Sequence, residues 1–168
     1  MTGTARATPD GLIRLGGQVW RCALGAGGVR PDKQEGDGAT PAGLLPLRRV
    51  LYRADRVAPP SGCRVPVEPL APTDGWCDDP DHPDYNRRVA LPHPAARHER
   101  LWRDDALYDL IGVLGWNDAP VVRRRGSAIF LHLARPDWAP TEGCIALREA
   151  DLRALLAAGL TAIEVVAG

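Results

Sequence analysis

Only one stretch of this chain carries an amphipathic helical period, READLRALLAAG, Arg148 to Gly159. Leu152, Leu155 and Leu156 recur at a spacing that puts them on one helix face, and Gly159 supplies a stop. The other apolar runs are short, β-prone and punctuated by the chain's 18 glycines and 16 prolines. Repeating βαβ units need a helix between successive strands, so that architecture is excluded. The 168 residues suffice for one domain with a real core, residues 1–168, expected to be mainly β with one or two peripheral helices.

GLIRLGGQVWRCALG reads as two strands about a Gly-Gly turn, with Leu12, Leu15, Val19 and Trp20 as its apolar residues. AGGVRPDKQEGDGATPAGLLPL follows as a long ordered loop whose end is tied down by Leu44, Leu45 and Leu47. RRVLYRAD is a short strand candidate. The Pro-, Asp- and aromatic-rich span from Pro59 to Pro94 holds too many prolines for central strands, so it is expected to run over the surface. A short helix is expected in the first half of ARHERLWRDDALYDLIGVLGW, then a buried strand over Leu107–Gly115. SAIFLHL, CIAL and TAIEVVA are further strands. In SAIFLHL, Ala128, Phe130 and His132 share one side and Ile129, Leu131 and Leu133 the other.

Formal net charge is zero, against the basic surplus of a nucleic-acid binder, although VVRRRG (Val121–Gly126) is a local basic run. No window is apolar for long enough to span a bilayer. MTGTARATPDG has no apolar leader region, so placement in the cell envelope or periplasm would require a leader outside this sequence; otherwise the cytoplasm is expected. There is no CxxC pair for a structural zinc and no Walker or Rossmann glycine pattern, so no metal and no cofactor is expected.

The chemistry concentrates in GSAIFLHLARPDWAPTEGCIAL, Gly126–Leu147. A strand ends in His132, and Cys144 opens the next behind Gly143. A cysteine attacks as thiolate, and a neighbouring histidine takes its proton and later returns one to a leaving amine. The loop between them must fold back for the two to meet at roughly 3 to 3.5 Å. Gly143 permits close backbone approach, and the amides of Gly143 and Cys144 are candidate oxyanion donors. Thr141 is placed to orient the loop, and Glu142 to face solvent. The residues also fit a buried small thiol and a structural histidine. Cys77 with His82 is a rival pair. The acids Asp78, Asp79, Asp81 and Asp84 read as a surface loop or, alternatively, a hard-cation site.

HLARPDWAPTEGCIAL resembles the active-site motif of the YkuD-like L,D-transpeptidases, with His132, Thr141, Gly143 and Cys144 on the matching positions. DKQEGDGATPAG, Asp32–Gly43, is similar to that family's GDGxTPxG loop, and WCDDPDHPDYN with LWRDDALYDLIGVLGWN resembles a bacterial branch of it. The resemblance covers roughly residues 10 to 166.

It implies a β-sandwich-like catalytic domain with the site at one edge. The implied reaction is acyl transfer from a peptidoglycan stem tetrapeptide, through a Cys144 thioester, to an amine acceptor. The alternatives are hydrolysis of the same bond, as an L,D-carboxypeptidase, and a non-catalytic peptidoglycan-binding domain. Cys144 resembles the nucleophile, His132 the base and acid, Gly143 the oxyanion glycine and Thr141 its support. Many members orient the histidine on a backbone carbonyl, here that of Leu133. Trp138, between His132 and Cys144 in sequence, is placed either to wall the cleft or to pack in the core, and Asp78 to Asp84 and Arg103 are further cleft candidates. The chain departs from the family at Glu142, where many members have a second histidine, and at Ala146, where many have Arg or Asn. Arg148 is the candidate replacement for that polar contact. Carbapenem-type inhibitors, as mimics of the acyl donor, are implied ligands.

Overall fold

A computed structural model describes residues 3–168; Met1 and Thr2, which open the expected domain, lie outside the described residues. The chain is mainly β. Its strands are β1 (Thr4–Thr8), β2 (Leu12–Leu15), β3 (Gln18–Arg21), β4 (Val29–Arg30), β5 (Thr40–Pro41), β6 (Gly43–Tyr52), β7 (Val67–Pro69), β8 (Asp74–Cys77), β9 (Arg87–Ala90), β10 (His98–Arg100), β11 (Leu110–Leu114), β12 (Phe130–Leu133), β13 (Ile145–Leu147) and β14 (Ala162–Val165). The helix α1 spans Glu149–Ala157. No helix is long and apolar enough to cross a membrane among the described residues.

The principal sheet runs β13-β12-β11-β6-β14-β1-β2-β3, with β7 also paired to β6. Just beyond β3, Ala23 bridges to Ala146 in β13, so the sheet curls until its two ends meet and nearly closes into a barrel. The two-residue strands β4 and β5 form a separate pair, and β10-β8-β9 a third sheet.

Alternation divides the apolar residues between two cores. Val50, Leu110 and Leu131 join the main core with Ile13, Leu45, Ile145 and Ile163. Leu51, Ile111, Val113 and Phe130 face the opposite way, into a second core with Leu101, Tyr108 and Cys144. β11 is therefore buried at all five positions, and no polar residue interrupts it. Trp76 of β8 meets the Phe130 ring edge-on, centroids 5.1 Å apart, and so docks the small sheet over the second core.

On α1, Leu152, Leu155 and Leu156 are buried in the main core. Each contributes roughly 1.5–3 kcal/mol. Glu149 and Asp151 lie in the first turn, where negative charge complements the helix dipole. Gly159, at φ +92°, ends the helix in a conformation that side chains resist.

Three expectations change. His98–Arg100 is a strand of the small sheet, not a helix, because its backbone pairs with β8. The span from Pro59 to Pro94 contains β7, β8 and β9 as well as surface turns; its prolines stay clear of the principal sheet's centre, and Pro69 sits in β7 at its margin. Leu44 is 63% exposed while Leu45 and Leu47 are buried, so alternate residues of β6 anchor the preceding loop. That loop is ordered internally. The Lys33 ammonium, buried, lies 2.7 Å from Asp37, whose carboxylate also accepts the amides of Gln34 and Ala39.

Candidate active site

β12, which carries His132, and β13, which Cys144 immediately precedes, are neighbours and run parallel, with Leu131 opposite Ile145 and His132 opposite Ala146. Their connection therefore crosses over instead of reversing as a hairpin. Parallel partners point to the same face, so Phe130, His132, Cys144 and Ala146 share one side, facing the second core.

His132 is held on two sides. Its Nδ1 lies 2.9 Å from the Leu133 carbonyl oxygen, a contact that needs the proton on Nδ1 and leaves the Nε2 lone pair free. The ring of Tyr108 meets it edge-on at 5.4 Å. Burial holds the imidazole below its ordinary pKa, so it rests neutral.

The thiol of Cys144 is occupied elsewhere. It donates to the Ala128 carbonyl at 3.3 Å and accepts from the Phe130 N–H at 3.4 Å. Its hydrogen-bond partners among the described residues do not include His132. Burial first, and the negative charge of Glu99 second, push the thiol up to about 12. At rest the thiol and the imidazole are both neutral, not an ion pair.

Gly143 explains itself by its backbone. Its φ of +136° disfavours side chains, and a Cβ there would lie 2.7 Å from the carbonyl oxygen of Ala39, in the GDGATPAG loop. Its N–H donates to Thr141 Oγ1 at 3.1 Å, and that hydroxyl donates to the Cys144 carbonyl at 2.6 Å. Thr141 is thus a clamp across the turn before Cys144. The Gly143 amide, expected as an oxyanion donor, already has a partner. The Cys144 N–H forms no hydrogen bond among the described residues.

A cleft of about 630 Å³ opens at Cys144. Glu35, Asp78 and Glu99 line it with Arg97, Arg103 and Arg135, so it carries both signs of charge. Tyr108 forms part of the wall and donates its hydroxyl to Glu99. Glu142 lies exposed on the lining. Asp78 and Arg103 stand where cleft candidates were expected; Asp79, Asp81 and Asp84 are outside the lining. Trp138 and Arg148 are also outside it. They meet each other, with the Arg148 guanidinium 5.2 Å and that of Arg21 4.2 Å from the Trp138 ring centre.

Of the remaining acids of the DDPDHPDYN stretch, Asp81 pairs with Arg124, Asp84 pairs with His93 and Asp79 organises backbone. Asp79 accepts from the amides of Asp81 and Ala96. His82, Asp84 and His93 gather side-chain atoms within 4.8 Å. Yet Nδ1 of His82 accepts the Asp84 amide and Nδ1 of His93 accepts the Ala95 amide. Each neutral ring then carries its proton on Nε2, and that of His93 faces Asp84 at 2.9 Å. A cation would have to displace these bonds. Cys77, the rival thiol, is fully buried in β8 and lies outside the cleft lining.

Sequence reasoning did not identify the support behind Ala128. Asn86 Oδ1 accepts the Ala128 N–H at 3.1 Å and the Trp76 indole at 3.0 Å, while its Nδ2 donates to the carbonyls of Trp116 and Asn117. Tyr85 donates to Glu35 and accepts the Gly126 amide. Ala128 is held at φ +55°, a costly conformation for a residue with a Cβ, next to the Cys144 thiol. Glu99 and Tyr108 were also missed; they reach the site through β10 and the turn before β11, and no short-range pattern marks them.

Comparison with known proteins gives one family: a model for the L,D-transpeptidase catalytic domain, YkuD, matches residues 8–165. No curated protein and no solved structure matches the chain.

Proposed function

The chain belongs to the YkuD L,D-transpeptidase catalytic domain family and is a cysteine-dependent, peptidoglycan-modifying transpeptidase; from that premise we propose that Cys144 is its nucleophile and His132 its base and acid. The observation that carries this assignment is their position on one face of adjacent parallel strands, the thiol on the cleft lining and the imidazole fixed through Leu133 with Nε2 free.

The donor is a stem tetrapeptide whose scissile carbonyl enters the cleft at Sγ. The thiol leaves the Ala128 carbonyl, Nε2 of His132 takes its proton and sulfur bonds to the carbonyl carbon. The unpartnered Cys144 N–H is the first donor to the resulting oxyanion, and Thr141 holds the turn that presents it. Collapse breaks the C–N bond, and the imidazolium gives its proton to the departing amine. A second amine then attacks the thioester, loses a proton to His132, and the sulfur leaves with that proton. Burial makes the thiolate expensive, so proton transfer belongs with bond formation instead of preceding it.

Incubation with a defined tetrapeptide and excess D-amino acid tests the reading. Exchange product from wild type, and none from Cys144→Ala, supports transfer; tripeptide alone points to hydrolysis. A carbapenem is expected to leave a covalent adduct on Cys144 by intact mass. Absence of both product and adduct removes the proposal.

A further inference from the structure

β12 begins at Phe130, and the residues just before it, Gly126 to Ala128, lie outside its ladder with β11. Two adjacent side chains hold their amides instead. The Tyr85 hydroxyl accepts the Gly126 N–H at 2.9 Å, and Asn86 Oδ1 accepts the Ala128 N–H at 3.1 Å. Asn86 is 5% exposed and sits at φ +57°, a conformation that asparagine tolerates better than most residues. Its own N–H donates to the Cys77 carbonyl at 2.8 Å. Oδ1 also accepts the Trp76 indole, and Nδ2 donates to the carbonyls of Trp116 and Asn117. With both donors and the acceptor engaged, this buried amide has one orientation, and the Ala128 N–H is fixed with it.

The segment so pinned forms a backbone socket for sulfur. The Ala128 carbonyl accepts the Cys144 thiol proton at 3.3 Å, and the Phe130 N–H reaches the sulfur at 3.4 Å. That carbonyl faces the sulfur while Ala128 is at φ +55°. Released from Asn86, Ala128 relaxes toward the regions open to a residue with a Cβ, and its carbonyl turns away.

We propose that Asn86 is a positioning residue for acyl transfer, acting through Ala128 to hold the Cys144 sulfur at the cleft. The proposal rests on the assignment of Cys144 as nucleophile. Asn86 is not on the cleft lining, so its effect falls on how often the sulfur stands at attacking distance and not on donor binding.

The test uses the full chain and follows thioester formation at Cys144 by intact mass, over a series of donor tetrapeptide concentrations without acceptor. The infrared S–H stretch of Cys144, isolated by difference against Cys144→Ala, reports whether the thiol is hydrogen-bonded. Asn86→Ala removes the acceptor of the Ala128 N–H, whereas Asn86→Asp keeps that acceptor and loses the donors. In Asn86→Ala the limiting acylation rate is expected to fall about ten- to hundredfold, with the half-saturating donor concentration unchanged. Its S–H band is expected to move to the position of a thiol without a hydrogen bond. Asn86→Asp, though less stable, is expected to keep the wild-type band and most of the wild-type rate. Equal losses of rate in the two variants, or an unmoved band in Asn86→Ala, overturn the positioning role and leave the transpeptidase assignment standing. A loss confined to half-saturation does the same. Where Asn86→Ala fails to fold, the wild-type spectrum decides, because a Cys144 band at the position of an unbonded thiol removes the socket. No thioester from wild type overturns the nucleophile assignment and this role with it.

Discussion

The Cys144 sulfur lies 3.3 Å from the Ala128 carbonyl oxygen, and that carbonyl accepts the thiol proton in the resting molecule. Ala128 is itself held in a left-handed conformation by Asn86. The Cys144 thiol thus rests against a strained piece of backbone that is held by a hub more than fifty residues away along the chain.

Asn86→Asp keeps the shape of that hub and removes its two donors, setting a carboxylate oxygen against the carbonyls of Trp116 and Asn117. The buried mismatch is expected to cost about 2–4 kcal/mol. Chemical denaturation measures it, and an unchanged midpoint contradicts it.

Ala128→Gly removes the Cβ that makes φ +55° costly. Relief of about 1 kcal/mol is expected, read as a higher melting temperature. A fall in melting temperature would show that the Cβ contributes packing which outweighs the strain.

Thr141→Val deletes the hydroxyl that joins the Gly143 amide to the Cys144 carbonyl, whereas Thr141→Ser keeps it. Acylation by donor is expected to drop about tenfold or more in the valine variant. The serine variant is expected to stay near wild type. Loss in the serine variant without loss in the valine variant would assign the effect to the methyl group.

His132→Asn removes the proposed base. Thioester formation is expected to fall by about 10²–10⁴-fold. Measured rates near wild type would mean that another group takes the thiol proton.

The thiol pKa sets a pH dependence with a definite sign. Cys144 is raised to about 12, chiefly by burial, so its thiolate fraction grows tenfold per pH unit throughout the accessible alkaline range. Iodoacetamide alkylation of the folded protein is expected to climb from pH 7 to 10 without a plateau, while the denatured chain levels off near 9. Cys22 is raised to about 12 as well, again mainly by burial. Both thiols stay protonated in the folded state where the unfolded chain releases its protons. The associated stability is therefore complete below the ordinary thiol value of about 9 and is lost as pH rises toward 12. His132 works in the opposite direction. Its folded value is depressed, so its contribution holds above the ordinary imidazole value and declines as pH falls below it.

Much of this site was legible because alternation is local. The shared face of Ala128, Phe130 and His132 followed from a seven-residue word, and the leucine spacing of α1 fixed its buried side. Alternation is blind to strand direction, so the parallel pairing of β12 with β13 was not readable. Spacing likewise placed Gly143 beside the oxyanion but did not show that Thr141 occupies its amide. Trp138 and Arg148 are near Cys144 in sequence, yet the crossover carries them to each other and to Arg21. Glu99 and Tyr108 are remote in sequence and reach the cleft only through the small sheet.

The closure between Ala23 and Ala146 has a bearing on how a peptide approaches. Ala23 donates to the Ala146 carbonyl at 2.8 Å and accepts its amide at 2.9 Å. The outer margin of β13, just after Cys144, is sealed at that point, so an extended ligand cannot extend the ladder there as an extra strand. Selectivity must then come from the walls of the opening, where side-chain charge is read, and not from the repetitive backbone contacts that accept almost any sequence.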